Sequence, residues 1–222
     1  ESRLPRFEQD RAWLKVQDGC DFRCAYCIVP ALRGPPVSRP MAAILQEADR
    51  LIEAGFQELV LTGANLGCWR EGGRTLPHLI ERLAARPGRF RLRLGSIELS
   101  TVEQDVIACM ADMPKLCRFL HLPLQSGDDR ILAAMGRRYT AARFRAVAEA
   151  AAARVPRLGL GTDVIAGFPS EDEAAFAATR RLLEELPFSN IHPFPFSPRP
   201  GTRAAAMAGT VPPAVRKARV AE

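Results

Sequence analysis

Lysine is almost missing from this chain. Of 31 basic residues only Lys15, Lys115 and Lys217 are lysine, so arginine carries the formal net charge of +6. A basic balance favours a polyanionic partner such as nucleic acid. Arginine and alanine richness also tracks genome base composition, so the charge alone is a modest pointer. No apolar run approaches the length of a membrane span, which argues against a membrane partner. No charged segment followed by an apolar one opens the sequence, so secretion is not indicated and a cytoplasmic location is expected. No GxGxxG or Walker fingerprint follows any predicted strand, leaving a dinucleotide or nucleoside triphosphate site without support. There is no internal repeat and no low-complexity tract beyond alanine bias. The chain opens on Glu1 rather than methionine and reads as a piece of something longer.

What is present is a cluster of thiols. Three of the six cysteines, Cys20, Cys24 and Cys27, fall within eight residues at the spacing C-x3-C-x2-C. A short loop with that spacing curls so that three thiolates converge on one point. Soft thiolates select zinc, copper(I) or iron–sulfur clusters over hard cations. A structural zinc wants a fourth nitrogen or sulfur ligand. None is near, since the next cysteine is Cys68 and the first histidine is His78. A cubane cluster is normally held by four cysteines, so three leave one iron open to a ligand that is not protein. The other cysteines are scattered, which is metal-site usage in a reducing compartment rather than a disulfide framework.

At 222 residues and 47% hydrophobic content the chain fits one domain with an ordinary core. Residues 13–17 read as a short buried strand running into the cysteine loop. The proline-rich residues 30–40 extend that loop and exclude a regular helix interior. Residues 41–54 carry helical spacing, with Ile44, Leu45, Ala48, Leu51 and Ile52 on one side and Gly55 as the stop. Strands are then predicted at 58–61, 90–94, 116–122, 158–165 and 188–196, the last broken up by prolines. Helices are predicted at 76–86, 101–111, 129–135, 140–153 and 171–186. Six strand–helix alternations predict a parallel sheet with right-handed crossovers. In such a barrel the chemistry sits at the C-terminal ends of the strands. The non-core residues cluster there: the cysteine loop, residues 62–65, 96–98, 121–127 and 163–171.

Those segments carry a resemblance. KVQDGCDFRCAYCIVPALRG, LTGAN, SIE, HLPLQSG, MGRRYT, TDVIAGFPSE and HPFPFSPRPGT are similar to the radical S-adenosylmethionine (SAM) methylthiotransferases. Tyr26, the aromatic before the last cysteine, fits the same pattern. The Gln-Asp-Gly-Cys lead-in and the Phe196–Thr202 ending most resemble the bacterial tRNA threonylcarbamoyladenosine methylthiotransferases. The resemblance runs from about residue 12 to the C-terminus. It implies an α/β fold, an open six-stranded (β/α)6 partial TIM barrel of the radical SAM type. It divides the chain into a linker at 1–11, a radical SAM domain at 12–205, and a tail at 206–222 leading to an RNA-binding domain.

Site residues follow from the same resemblance. Cys20, Cys24 and Cys27 would hold a 4Fe-4S cluster whose open iron binds SAM. Thr62 and Gly63 occupy the glycine-rich SAM segment, here Thr-Gly-Ala, so that contact would be largely through the main chain. Ser96, Glu98, Gln125 and Asp163, with Ile165, match later strand ends that face SAM. The implied reaction adds a methylthio group to carbon 2 of a modified adenosine in tRNA. It would use a second 4Fe-4S cluster on a preceding domain and an electron donor such as flavodoxin or ferredoxin. A methylthiotransferase acting on a ribosomal-protein aspartate and a non-catalytic iron–sulfur fragment are the alternatives. Arg33-Gly34 and Ser38-Arg39 either order the loop, give charge to cluster or RNA phosphate, or are simply solvated. Cys68, Cys109 and Cys117 fit no compact loop, and Cys109 and Cys117 read as small buried hydrophobes. His121 and His192 read as hydrogen-bonded core histidines. The Asp128-Asp129 and Glu171-Asp172-Glu173 runs read as helix starts.

Overall fold

The computed structural model describes residues 10–102 and 104–222. Six parallel strands form its frame: β1 (Arg11–Lys15), β2 (Glu58–Thr62), β3 (Arg91–Leu94), β4 (Phe119–His121), β5 (Gly159–Ala166) and β6 (Phe188–Pro195). β1-β2-β3 and β4-β5-β6 are each hydrogen-bonded in sequence order. The two halves meet at a parallel bridge between Leu92 and Leu116, where the Cys117 N–H donates to the Leu92 carbonyl at 2.8 Å. Among the described residues β1 and β6 do not pair with each other, so the barrel stays open. Two short antiparallel ribbons, Gln17–Asp18 with Val37–Ser38 and Arg70–Glu71 with Arg74–Thr75, decorate the loops after β1 and β2.

Eight helices are described: α1 (Val29–Arg33), α2 (Met41–Glu53), α3 (Leu76–Ala84), α4 (Gln104–Asp112), α5 (Asp129–Met135), α6 (Ala141–Arg154), α7 (Glu173–Glu185) and α8 (Pro213–Ala221). Their ends follow capping chemistry. Asp128, Thr140 and Asp172 each accept a backbone N–H of the first turn, and α5 stops at Gly136 in the left-handed conformation, φ 75°. Helices and sheet share one apolar core. Leu14, Ile44, Leu59, Leu61, Leu79, Ile80, Leu83, Leu92, Phe144 and Leu160 are among its sealed members.

The sheet's other face is a polar inner wall. Register sets Arg11, Glu58 and Arg91 side by side, and Glu58 makes ion pairs with Arg11 at 2.8 Å, Arg91 at 3.3 Å and Arg93 at 2.7 Å. Burial raises the Glu58 pKa, but the hydrogen bond and charge of Arg93, then Arg11 and Arg91, outweigh it and leave the carboxyl below its usual range.

Several expectations change here. Strand 1 is not buried throughout: Ala12 and Leu14 enter the core while Trp13, on the inner face of an edge strand, is 65% exposed. Prolines do not break the last strand, because among the described residues β6 pairs with β5 alone and its missing N–H groups interrupt no second ladder. The proline-rich loop holds the one-turn α1, with Pro30 in its first turn, where no intrahelical N–H is needed. Beyond residue 205, α8 packs back on the domain through Arg219, which meets Glu171 at 2.8 Å. The linker expected at 1–11 lies almost wholly outside the described residues.

Candidate functional site: the cysteine loop and the inner rim

The cysteine loop leaves β1 through Gln17, which is fully buried and braces both flanks. Its Nε2 donates to the Asp18 carbonyl at 2.6 Å and the Gly19 carbonyl at 2.7 Å, and its Oε1 accepts the Asn65 N–H at 2.8 Å. Gly63 is required opposite it, because a Cβ there would stand 2.8 Å from Gln17 Oε1. Gly19 turns with φ 69°, and a Cβ would meet the Pro35 carbonyl at 2.0 Å. Asp18 ties the loop to its neighbours. The Lys15 ammonium, the Gly19 N–H and then Arg33, 3.0 Å away, hold its carboxyl well below the usual range. Arg33 and Arg39 are thus engaged within the fold, Arg39 with Glu47 at 2.6 Å.

All three cysteines are free and half-buried. Cys20 Sγ accepts the Phe22 N–H at 3.4 Å and lies 3.9 Å from Asn65 Nδ2. Cys24 Sγ accepts from Arg137 Nη1 at 3.4 Å. Burial pushes the Cys27 thiol up against the pull of the Val29 N–H, and the nearby Cys24 and Cys20 push it further. N–H groups aimed at the sulfurs suit thiolates rather than thiols. This donor set fits a three-thiolate iron–sulfur cluster.

A second, smaller apolar cluster straps the loop down. Ala25, Ile131, Met135, Phe168, Ala175, Phe196 and Ala204 form it, with Tyr26 packed against them. The Ala25 N–H donates to the Met135 carbonyl at 2.7 Å and its carbonyl accepts from Ala204 at 2.8 Å. Phe168 and Phe196 meet edge to face at 5.3 Å. The GFP and FSPRPGT stretches, far apart in sequence, therefore anchor the cysteines.

Arg137 sits beneath the loop and was not singled out from the sequence. Its Nη2 is 3.1 Å from Glu98 Oε1, with the two side chains 5% and 12% exposed. Its Nε donates to Tyr139 Oη at 3.0 Å, and Nη1 lies 3.4 Å from Tyr26 Oη. Burial opposes the charge, yet Tyr26, Tyr139, Cys24 and Glu98 raise the Arg137 pKa. Burial likewise raises Tyr26, and pushes Tyr139 up to about 12 against the pull of Arg137. The one available signal was the MGRRYT stretch, where an arginine directly follows the left-handed Gly136.

The predicted rim residues fall as follows. Thr62 ends β2 and Gly63 follows it against Gln17, Ser96 is exposed after β3, and Glu98 turns back onto Arg137 while accepting the Ser100 N–H at 2.8 Å. Gln125 is 9% exposed and has φ 69°, a conformation that costs a non-glycine residue about 1–3 kcal/mol and concentrates at functional sites. Its N–H donates to the Asp163 carbonyl at 2.8 Å and its carbonyl accepts from Ile165 at 3.0 Å. Asp163 lies within β5 rather than at its end.

The remaining readings divide. Cys109 is buried in the core as expected. Cys117 is only partly buried, 3.7 Å from Glu58. Cys68 lies close enough to the loop that, after burial, Asp21 and Cys20 raise its pKa. His121 is buried, but its Nε2 makes no aligned hydrogen bond, and His192 has a side chain 48% exposed rather than in the core. Asp172 does cap α7, whereas Glu171 is buried, accepting the Gly167 N–H at 2.6 Å and pairing with Arg219. Among the described residues no helix is long and apolar enough to cross a membrane.

Among known proteins, the chain is 38% identical over 215 residues to the threonylcarbamoyladenosine tRNA methylthiotransferase MtaB of Thermotoga maritima. That match takes in 96% of this chain but about half the length of the relative. Solved structures share the fold. The radical SAM methyltransferase TsrM of Kitasatospora setae, with cobalamin and a [4Fe-4S] cluster bound, superposes with TM-score 0.73 at 17% identity, over 87% of this chain and 38% of that one. Coproporphyrinogen III oxidase HemN of Escherichia coli gives 0.69 at 15% identity, over 95% and 50%. Residues 14–183, from β1 through most of α7 and including the whole cysteine loop, match the Radical SAM superfamily, and to that superfamily the chain belongs.

Proposed function

We propose that this chain carries the radical-generating step of a tRNA methylthiotransferase, one that adds a methylthio group to carbon 2 of a threonylcarbamoyl-modified adenosine. The observation that carries the reading is the loop of three free cysteines, braced by Gln17, Arg137 and the second apolar cluster. The MtaB relative supports the choice of substrate. Cys20, Cys24 and Cys27 hold a 4Fe-4S cluster, and Thr62, Gly63, Ser96, Glu98, Gln125 and Asp163 face SAM. When bound and reduced, the cluster supplies the electron that cleaves SAM to methionine and a 5′-deoxyadenosyl radical.

The chain's own share is positional. The N–H groups around Cys20 and Cys24 stabilise thiolates, and Arg137 offsets the negative charge that the loop gathers. Glu98, neutralised by Arg137, lies with the loop at one end of the barrel. The target base reaches the radical only if it leaves its stack. The +6 charge gives tRNA weak, salt-sensitive attraction. Sulfur comes from a second 4Fe-4S cluster outside these residues, electrons from a flavodoxin or ferredoxin, and the setting is cytoplasmic.

The test is anaerobic reconstitution, then incubation with dithionite, SAM and tRNA bearing threonylcarbamoyladenosine. These 222 residues alone are expected to form 5′-deoxyadenosine without a methylthiolated nucleoside, read by mass spectrometry. No 5′-deoxyadenosine from a chain with its cluster intact overturns the catalytic reading. Methylthiolated adenosine would place the sulfur source within these residues and reopen the roles of Cys68, Cys109 and Cys117.

A further inference from the structure

His121, Asp163 and His192 come from three adjacent strands and meet on the inner wall. His192 and Asp163 are register partners across β6 and β5, while His121 at the end of β4 lies opposite Gly161. His121 Nε2 is 3.1 Å from Asp163 Oδ2, and His192 Nδ1 is 3.4 Å from Asp163 Oδ1. The two rings are 5.5 Å apart. The sequence makes room for this on purpose-built backbone. A Cβ at Gly161 would stand 2.7 Å from His121 Nδ1 and 2.9 Å from the Phe119 ring, so only glycine lets the imidazole lie against β5.

Proton placement follows from the neighbours. Asn190 Nδ2 lies 3.0 Å from His192 Nε2, so the amide donates there and the ring hydrogen sits on Nδ1, facing the carboxylate. His121 Nε2 is sealed from water and has no aligned hydrogen bond, although a carboxylate oxygen is 3.1 Å away. A sealed ring nitrogen at that distance needs only a small rotation of Asp163 to become a donor partner. Contacts of this kind are commonly misaligned before a ligand arrives and tighten with it. Each carboxylate oxygen then has one imidazole and keeps a free lone pair.

We propose that His121 and His192 are positioning residues: one imidazole on each oxygen sets the Asp163 carboxylate toward a hydrogen-bond-donating ligand on the inner wall. This rests on the proposed function, in which that ligand is SAM. Neither histidine needs to touch the ligand. Their effect is to orient the acceptor beforehand, so that binding does not have to.

SAM affinity of the cluster-loaded protein, measured by equilibrium dialysis, tests this. H121L and H192L should each weaken SAM binding about tenfold with iron content unchanged, and H121Q and H192Q, which keep an N–H donor, should recover most of it. In a D163N background the leucine changes should add less than about twofold, because they act through the same group. Leucine variants that bind SAM normally, glutamine variants no better than leucine, or penalties that add fully to D163N would overturn the proposal while leaving the SAM reading intact. D163N binding SAM like the wild type would remove Asp163 from the SAM face and the proposal with it. A loaded chain that binds no SAM would sink the proposed function itself. One extra zinc or iron, lost in H192L, would make the three groups metal ligands and overturn the positioning role.

Discussion

Replacing Arg137 by methionine should be among the most damaging single changes outside the cysteines. The side chain is 5% exposed and its charge faces Glu98, 12% exposed, at 3.1 Å. Methionine fills much of the volume but leaves a buried carboxylate without its cation and the Tyr26 hydroxyl without the guanidinium, while the Tyr139 hydroxyl keeps the Pro123 and Leu124 carbonyls at 2.8 and 3.2 Å. Removing one member of a buried pair costs about 3–5 kcal/mol. Partial access of water to Glu98 places this case near the low end, about 3 kcal/mol. In a domain of this size that lowers the melting temperature by roughly 6–12 °C. Arg137→Lys keeps the charge but not the planar fork that serves Cys24, Tyr26, Tyr139 and Glu98 together, so about half the loss should remain. Urea unfolding of the unreconstituted protein reads both variants, and iron retention after reconstitution reads the loop. A stability loss below about 1 kcal/mol for Arg137→Met would refute the claim that this guanidinium holds the site together.

Glu58→Gln tests the inner wall. The depressed Glu58 carboxyl stabilises the fold above the ordinary carboxylate range, and that contribution is lost as pH falls through its folded value. The variant should cost about 2–4 kcal/mol near neutrality, and the gap from wild type should narrow as pH falls below the ordinary carboxylate range. A gap independent of pH would contradict the assignment. Cys109, pushed up to about 11 by burial and then by Glu81, Asp105 and Asp112, should resist iodoacetamide at pH 8 roughly a hundredfold better than an unperturbed thiol. Alkylation at the free-thiol rate, followed by peptide mass spectrometry, would show that α4 does not seal it.

Much of the frame was legible because periodicity reports which side of an element meets apolar neighbours. The helix predicted at 41–54 is α2, whose buried Met41, Ile44, Ala48 and Leu51 follow the helical spacing. The strand predicted at 58–61 is β2 with one residue added. The helix predicted at 171–186 begins two residues late, because Glu171 turns inward to Arg219 instead of capping α7. The exposure of Trp13 has a related cause: an apolar run looks the same whether one face or both are covered, and the open barrel leaves that face bare. The cysteine loop could be read because its three ligands are local. Arg137 and the His121–Asp163–His192 group could not, since they are assembled from residues up to 113 positions apart, and a histidine in a strand or an arginine after a glycine carries no local mark of its partners. Gln125 is similar, since its left-handed backbone is imposed by the bridge to Val164 rather than by its own preference.

The central claim is that Cys20, Cys24 and Cys27 together hold one cluster with an open iron. Iron and sulfide analysis after anaerobic reconstitution, with the paramagnetic resonance spectrum of the reduced protein recorded before and after adding SAM, tests it most directly. About four irons per chain are expected, with a spectrum that changes on SAM addition. Alanine at any of the three cysteines should abolish the cluster, while alanine at Cys68, Cys109 or Cys117 should leave it in place. Full iron retained in Cys20→Ala, Cys24→Ala or Cys27→Ala, or a reduced spectrum indifferent to SAM, would contradict the account.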